Sequence, residues 1–429
     1  MHDAPFASAA VEMRVRALLD SACVPIERHG ALLVAEGEAA GRRVAIASND
    51  VARQRGAIGV EEAQALARLL ARARGDGRPV VLLLDSSGAR VDEGLPALGA
   101  FRALFREALR ARLAGVRMFA LLGAVCFGGA SLLASLCAKR SYLAATLLAA
   151  SGPRVIQAAH HDEHFDASDA RAVHALLGPA ARMTWHDQDL ERTDTLQAAR
   201  AAVHDWIMAC SEGPPDLRLE HADLERRLLQ SASAGLASSA LAPALLEALL
   251  PPGYAPVFSG RSVRAEAGPG KPVFVGVLGG APVDAGDSLR AAAMLLQAGT
   301  SHPGSALVLL LDASAHSASV RDERLLLSDY LVHLSLVIAS LAHAGHRVAL
   351  WIVGQASGAS YIAFAAAADS VSAAIDARIE ILPPAARAAI VGSRGTGGAG
   401  CDWLAAGVAD ALLEERLRLN LVQPSGPVT

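Results

Sequence analysis

The chain has 429 residues, room for two domains of ordinary size, each able to bury its own core. A net charge of −4 gives no global electrostatic reason to expect nucleic acid or an anionic membrane as a partner. Hydrophobic residues make up 52% but aromatics only 4%, so the core must be built from Ala, Leu and Val, and the five scattered cysteines (Cys23, Cys126, Cys137, Cys210, Cys401) form no C-x-x-C pair, which argues against a disulfide framework or zinc site and fits a reducing cytoplasm.

Along the chain, the first residues lack a basic region followed by an apolar one, so no secretory signal is predicted. Residues 11–20 read as a short amphipathic helix, and 31–36 with 43–48 as a hairpin. A helix follows over 61–74, with Ala65, Leu66, Leu69 and Leu70 at helical spacing and Gly75-Asp76-Gly77 as its stop. Strand 80–84, helix 98–113, strand 116–122 and helix 130–138 then complete a parallel β-α-β-α unit. The uncharged stretch 118–138 is long enough to span a membrane, but Gly123 and Gly128-Gly129 break it, which predicts a buried strand, a tight turn and a buried helix.

The same succession returns over 273–368, at an offset of roughly 230 residues, too long for a solenoid repeat and suited to two domains of one fold. Val80-Val81-Leu82-Leu83-Leu84-Asp85 comes back as Leu307-Val308-Leu309-Leu310-Leu311-Asp312, and Gly128-Gly129-Ala130-Ser131 as Ser357-Gly358-Ala359-Ser360. A charged helix over 321–343 stands in the second copy where 90–112 stands in the first. This places one domain at 1–210, a partly helical linker at 211–256 and a second domain at 257–429, with a cleft expected between the domains.

The turns carry the candidate chemistry. Where a strand ends at a glycine turn and a helix begins, the first helical N–H groups have no partner within the helix and point outward. Gly128-Gly129 and Ser357-Gly358 sit at such points, and Arg55-Gly56-Ala57-Ile58-Gly59 precedes another helix, so each turn offers donors to a developing oxyanion or else only permits close packing. Arg90 and Arg321 follow the two Leu-Asp strands, where they either grip a carboxylate or pair locally with Glu93 and Glu323. His160-His161-Asp162-Glu163-His164 lacks metal-ligand spacing and reads as a loop, as does the glycine run at 395–400, and no metal is expected. No nucleotide-binding glycine motif and no serine-hydrolase elbow is present.

Asp85-Ser86-Ser87-Gly88-Ala89-Arg90, Ala114-Gly115-Val116, Cys126-Phe127-Gly128-Gly129, Ser151-Gly152-Pro153-Arg154-Val155-Ile156 and Phe165-Asp166-Ala167-Ser168-Asp169 together resemble the β subunit of biotin-independent malonate decarboxylase. The second half is similar, less closely, to the γ subunit, through Asp312, Arg321-Asp322-Glu323 and Gly354-Gln355-Ala356-Ser357-Gly358-Ala359. The resemblance implies a fusion of the two subunits and an α/β fold of two tandem crotonase-like (ClpP/crotonase spiral) carboxyltransferase domains, with parallel β-sheets flanked by helices. It implies decarboxylation of a malonyl thioester to the acetyl thioester through an enolate. No directly bound cofactor is implied; the substrate rides on the phosphopantetheine of an acyl carrier protein, or on CoA.

By matched position, Gly56, Ala57, Gly128 and Gly129 are the implied thioester oxyanion donors, and Ser357, Gly358 and Ala359 the implied carboxylate donors. Arg90, Cys126, Phe127, His316 and Arg321 are the implied substrate-binding residues, with His316, Cys126 and Tyr361 as the open choices for proton donor. Arg53, Arg55, Lys139 and Arg140 belong to a basic set suited to an acidic carrier protein, and a homo-oligomer is a further expectation, with no nucleic acid and no membrane. The second half departs from the family pattern in its loops: Ser319-Val320 stands where a Tyr-Gly is usual. Two other readings therefore stay open, a biotin-dependent acyl-CoA carboxyltransferase component and a non-catalytic carrier-binding homologue.

Overall fold

The computed structural model describes residues 4–21, 23–88, 90–159, 165–209, 213–231, 249–391 and 402–413. These residues fall into two compact units. The first comprises Met1–Asp216, Ala318–Val332 and Pro384–Thr396, and the second Leu217–Ser317, His333–Pro383 and Gly397–Thr429. The division after residue 216 lies near the expected linker, but two stretches of the second half fold into the first unit, which a linear division of the sequence does not show.

The first unit is built on one mixed sheet. β1 (Ile26–His29), β2 (Leu32–Ala39) and β3 (Arg42–Asn49) form an antiparallel meander, after which β3, β4 (Val80–Ser86), β5 (Met118–Phe127), β6 (Lys139–Leu143) and β8 (Leu190–Arg192) run parallel, with the short β7 (Leu147–Ala149) paired to the end of β5. The hairpin expected over 31–36 and 43–48 is the β2–β3 pair, and β1 adds a further antiparallel strand to the expected parallel sheet: two-residue-scale turns at Gly30-Ala31 and Ala40-Gly41 join the first three strands, and only an antiparallel pair accepts so short a connection. All seven residues of β4 are buried, as expected of a strand covered on both faces.

Alternation along the strands sorts the core. Val44, Ile46, Val81, Leu83, Phe119 and Leu121 share a cluster with Val15 and Leu18 of helix α1 (Val11–Leu18) and with Val203, Trp206 and Ile207 of the later helix Leu196–Met208. Helix α2 (Val60–Asp76) buries Ala63, Leu66, Leu69, Leu70 and Ala73 and ends at Gly77, whose φ of 69° supplies the left-handed cap. α2 packs on helix α3 (Leu95–Leu113), and the strand, turn and helix predicted across 118–138 are β5, Gly128 and helix α4 (Gly129–Leu136). Among the described residues no helix is long and apolar enough to cross a membrane.

The second unit repeats the plan. β9 (Ala255–Ser259), β10 (Ser262–Glu266) and β11 (Val273–Gly280) are antiparallel, and β11, β12 (Leu307–Ala313), β13 (Val348–Ile352), β15 (Ser370–Ala374) and β17 (Ala411–Leu413) are parallel, while β14 (Gln355–Ser357) and β16 (Arg378–Glu380) form a separate pair. The helix expected over 321–343 is two helices, Val320–Arg324 and Leu327–His343, because Leu326 adopts a φ of 60° between them.

The repeated aspartate has the same local job in both units. Asp85 Oδ1 accepts the Val125 N–H at 3.3 Å, and Asp312 Oδ1 accepts the Gln355 N–H at 2.9 Å, so each carboxylate ties the end of its own strand to the backbone that leads into the candidate turn. This is a structural role, since the acceptor holds the backbone just upstream of the candidate turn.

Candidate functional site

Three loops at the carboxyl ends of β3, β4 and β5 converge in the first unit. The turn over 54–58 has positive φ at Gln54, Arg55 and Gly56, and it is held against the β4 loop by Ser87 N–H to Arg55 O (3.1 Å) and Ile58 N–H to Gly88 O (3.3 Å). A Cβ on Gly56 would stand 2.0 Å from Asp85 O, so the approach of these two loops requires glycine there. Gly88 in turn lies against the next loop: its Cβ would be 3.6 Å from Phe127 O and 4.0 Å from Gly128 Cα. The structure therefore brings the Gly56 and Gly128 turns together through Gly88, as ligand sites at strand ends of α/β sheets commonly are.

Their donors are not equivalent. Gly56 N–H donates to Arg53 O (2.9 Å) and Ala57 N–H to Gln54 O (3.1 Å), so both candidate donors of the first turn are spent within it. Gly128 caps α4 with φ 59° and ψ −128°, a conformation that glycine adopts without strain, and its carbonyl accepts from Ser131 N–H (3.0 Å), Leu132 N–H (3.4 Å) and the Ser131 hydroxyl (2.7 Å). Gly129 and Ala130 open the helix, and their N–H groups have no acceptor within it. Those two groups, with the positive end of the α4 dipole behind them, are candidate donors to an anion at this turn.

The walls are fixed by packing. A Cβ on Gly129 would lie 2.5 Å from the Phe101 ring, and one on Gly152 would touch Phe127 at 3.4 Å. Cys126 is wholly buried, and burial drives its thiol well above the usual range, which leaves it a neutral core group. Arg90 is buried and committed: its guanidinium reaches Glu62 Oε1 (2.6 Å), Glu93 Oε1 (2.8 Å) and Ala57 O (3.0 Å), so the local-pairing alternative describes its contacts. Glu62 accepts Ala31 N–H and Gly59 N–H as well, and these bonds with Arg90 hold its carboxyl below the ordinary value against its burial.

The basic set divides likewise. Arg53 and Arg55 are exposed and Lys139 is half-buried, but Arg140 is 2% exposed and bound to Asp189 (2.8 Å) and Asp329 (3.3 Å). Arg140 is therefore corrected from a carrier-facing residue to an interior one; its place on β6 between two acidic partners was not visible from its neighbour Lys139.

No local pattern signals what the segment 318–332 contributes to the first unit. Glu323 is fully buried and accepts Ala150 N–H (3.2 Å) and Ser151 N–H (2.6 Å), while Arg182 donates to the carbonyls of Leu148 and Glu323. Burial pushes the Glu323 carboxyl up to about 7, with Arg182 opposing the rise. The Ser328 hydroxyl lies 2.7 Å from that of Ser131, and Asp329 meets Arg140 and His186. Arg321, on the same short helix, is half-buried.

In the second unit, Ser357 caps the helix Gly358–Ala365, Gly358 has a φ of 54°, and Ala359 is buried. The Ser360 hydroxyl donates to Ser357 O (2.8 Å), the counterpart of Ser131 on Gly128, and the Ser357 hydroxyl donates to Ser314 O (2.6 Å). His316 stands beside this turn, its Nδ1 3.3 Å from where a Cβ on Gly358 would be. Tyr361 is buried with its hydroxyl bound to Val408 O (2.7 Å). Among the described residues no group of three His, Cys, Asp or Glu side chains is placed to hold a metal; residues 160–164 and 395–400 lie outside them.

Residues 9–186 match the carboxyl transferase domain family. The propionyl-CoA carboxylase carboxyltransferase subunit of Haloferax mediterranei is 33% identical over 99 residues, which are 23% of this chain and 19% of that protein. Among solved structures, transcarboxylase 12S with methylmalonyl-coenzyme A and methylmalonic acid bound is 17% identical, with 98% of this chain and 91% of that chain covered and a TM-score of 0.41. A Pseudomonas malonate decarboxylase hetero-tetramer in complex with malonate is 22% identical, covering 55% of this chain and 94% of that chain with a TM-score of 0.49. Within the first unit, whose sheet is of α/β architecture, residues 9–186 are thus similar to a carboxyl transferase domain. This is broader than the malonate decarboxylase resemblance, because the carboxylase subunit of Haloferax mediterranei is also a relative.

Proposed function

We propose that this chain acts on the carboxyl group of an acyl thioester by stabilising the thioester enolate. The observation that carries the reading is the open start of α4, where Gly129 and Ala130 present N–H groups beside the converging loops of Gly56 and Gly88. An enolate places negative charge on the thioester oxygen, and a donor aimed at that oxygen is worth about 3 kcal/mol of barrier. Gly56 then serves close loop approach, and Gly129 and Ala130 supply the donors.

The same enolate serves two directions. In carboxyl transfer the N–C bond of a carboxylated biotin breaks to release CO2, the biotin left behind takes the proton that the α-carbon loses, and the electron pair on that carbon attacks CO2 to form a carbon–carbon bond. The family match and the Haloferax carboxyltransferase relative favour this reading. In decarboxylation of a malonyl thioester that bond breaks, CO2 leaves, its electron pair passes to the enolate, and a proton then adds to carbon. The run Cys126-Phe127-Gly128-Gly129 supports this second reading. Ser357, Gly358 and Ala359 are proposed to offer donors of the same kind to a carboxylate, with His316 beside them as the proton-donor candidate. Arg53, Arg55 and Lys139 remain the proposed contacts for a carrier protein bearing phosphopantetheine.

Incubation with malonyl-CoA, methylmalonyl-CoA and malonyl-loaded carrier protein, each with and without a biotinylated carrier domain, followed by intact mass and CO2 release, tests both directions. Loss of CO2 without biotin selects decarboxylation, and a strict requirement for the biotinyl protein selects transfer. No change in any thioester by the folded protein overturns the reading.

A further inference from the structure

We infer that Ser328 and Glu323, carried by the segment 318–332, are positioning residues that aim the Gly129 N–H of the first unit; this rests on the enolate reading above. Ser131 has one hydroxyl proton, and it is donated to Gly128 O at 2.7 Å. The 2.7 Å contact between the two serine hydroxyls is therefore donated by Ser328 to Ser131. Both serines are fully buried, so no water replaces that bond. The relay Ser328 to Ser131 to Gly128 O polarises each bond in turn and fixes the plane of the 128–129 peptide. Because that peptide is planar and trans, fixing its C=O points the Gly129 N–H the opposite way, away from the helix.

Glu323 secures the other flank. Its carboxylate holds Ala150 and Ser151 N–H, directly after β7, whose Leu147, Leu148 and Ala149 pair with Val125, Cys126 and Phe127. Phe127 is the residue before Gly128. Gly152 lies under the Phe127 ring, and Val320 of the same segment packs against the same core cluster as Phe127 does. Arg182 locks this side by donating to Leu148 O and Glu323 O. One segment of the second half thus grips the residues on both sides of the donor turn.

The test uses the full chain with Ser328→Ala, Ser328→Thr and Glu323→Gln. Hydrogen exchange at the amides of 131–132 and 150–151 reads positioning without any substrate. Ser328→Ala is expected to raise exchange at Ser131 and Leu132, whose N–H groups donate to Gly128 O, about tenfold, and Ser328→Thr, which keeps the hydroxyl, to restore it. Glu323→Gln, which keeps one strong acceptor fewer, is expected to raise exchange at Ala150 and Ser151 and, to a smaller degree, at Ser131. Where a thioester is turned over, both changes lower kcat about tenfold with KM held. Unchanged exchange at Ser131 and Leu132 in Ser328→Ala overturns the inference, as does a rise that is global or that threonine does not reverse. Local exchange that rises and is rescued, in a protein inert on every thioester, leaves the positioning in place and removes the enolate reading alone.

Discussion

The Asp85 carboxyl fills the space where a side chain at Gly123 would stand: a Cβ there would lie 2.3 Å from Asp85 Cγ. The second unit repeats this, with a Cβ on Gly354 2.1 Å from Asp312 Oδ1. The paired Leu-Leu-Asp strands are thus matched by paired glycines one strand over, and the aspartate that looks chemical in sequence is a strand tie.

Gly123→Ala and Gly354→Ala are each expected to displace that carboxylate and free the N–H it holds. Overpacking of this kind costs about 1–3 kcal/mol. Urea denaturation should show the loss for both variants, and an unchanged midpoint in either would break the proposed equivalence of the two ties.

Gly129→Ala drives a methyl into the Phe101 ring and shifts the start of α4. Loss of an oxyanion donor lowers turnover by about a hundredfold or more, so a drop of that size in kcat is expected. The double variant with Phe101→Ala, which makes room for the methyl, should recover most of it. Failure to recover would mean that the glycine is needed for something other than clearance of the ring.

Arg90 and Glu62 form a buried pair, with side-chain exposures of 9% and 1%. Arg90→Ala leaves the Glu62 charge without its counter-ion, a loss of about 3–5 kcal/mol in such settings. Chemical denaturation should report it. A stable Arg90→Ala protein with a raised KM would instead mark Arg90 as a substrate clamp.

The Glu323 carboxyl is raised in the fold to about 7 from its ordinary 4.5, chiefly by burial, with Arg182 and Asp322 as its charged neighbours. The folded state therefore holds a proton that the unfolded chain releases between those values. Stability is expected to fall as pH rises from about 4.5 to about 7, by on the order of 3 kcal/mol, and to level off above. Glu323→Gln should flatten that slope in denaturation measured across the range; a slope of the same size in the variant would assign it to another group.

His221 faces His333, with Nδ1 and Nε2 3.1 Å apart, and burial and that neighbour hold His221 below its ordinary 6.5. The folded state keeps it neutral, so its contribution is present above about pH 6.5 and is lost as pH falls. Protection of the helix Leu217–Gln230 against hydrogen exchange, taken relative to the intrinsic rate at each pH, should fall on acidification, and His221→Phe should remove that dependence.

Local patterns carried most of the element assignments. Leu66, Leu69, Leu70 and Ala73 at helical spacing, followed by Gly77, define α2 without reference to the rest of the chain, and five consecutive apolar residues define β4. The break at Leu326 left no comparable mark, because a left-handed leucine is held by its surroundings and not by its own preference. Among the site residues, Gly128 and Gly129 were legible because a glycine turn before a helix leaves backbone donors open. The commitment of Gly56 and Ala57 N–H within their own turn was not, since it depends on the dihedrals of Gln54 and Arg55.

By itself the sequence determined the duplication, the order of strands and helices within each copy, and the glycine turns at their ends. Periodicity and turn chemistry act over a few residues, so they are written in the local text of the chain. Only the tertiary structure decided that Arg90 and Arg140 are interior, and that Glu323 and Ser328 belong to the first unit although they lie in the second half of the chain. Burial and hydrogen-bond partnership between residues nearly two hundred positions apart are properties of the packed fold, and no local pattern encodes them.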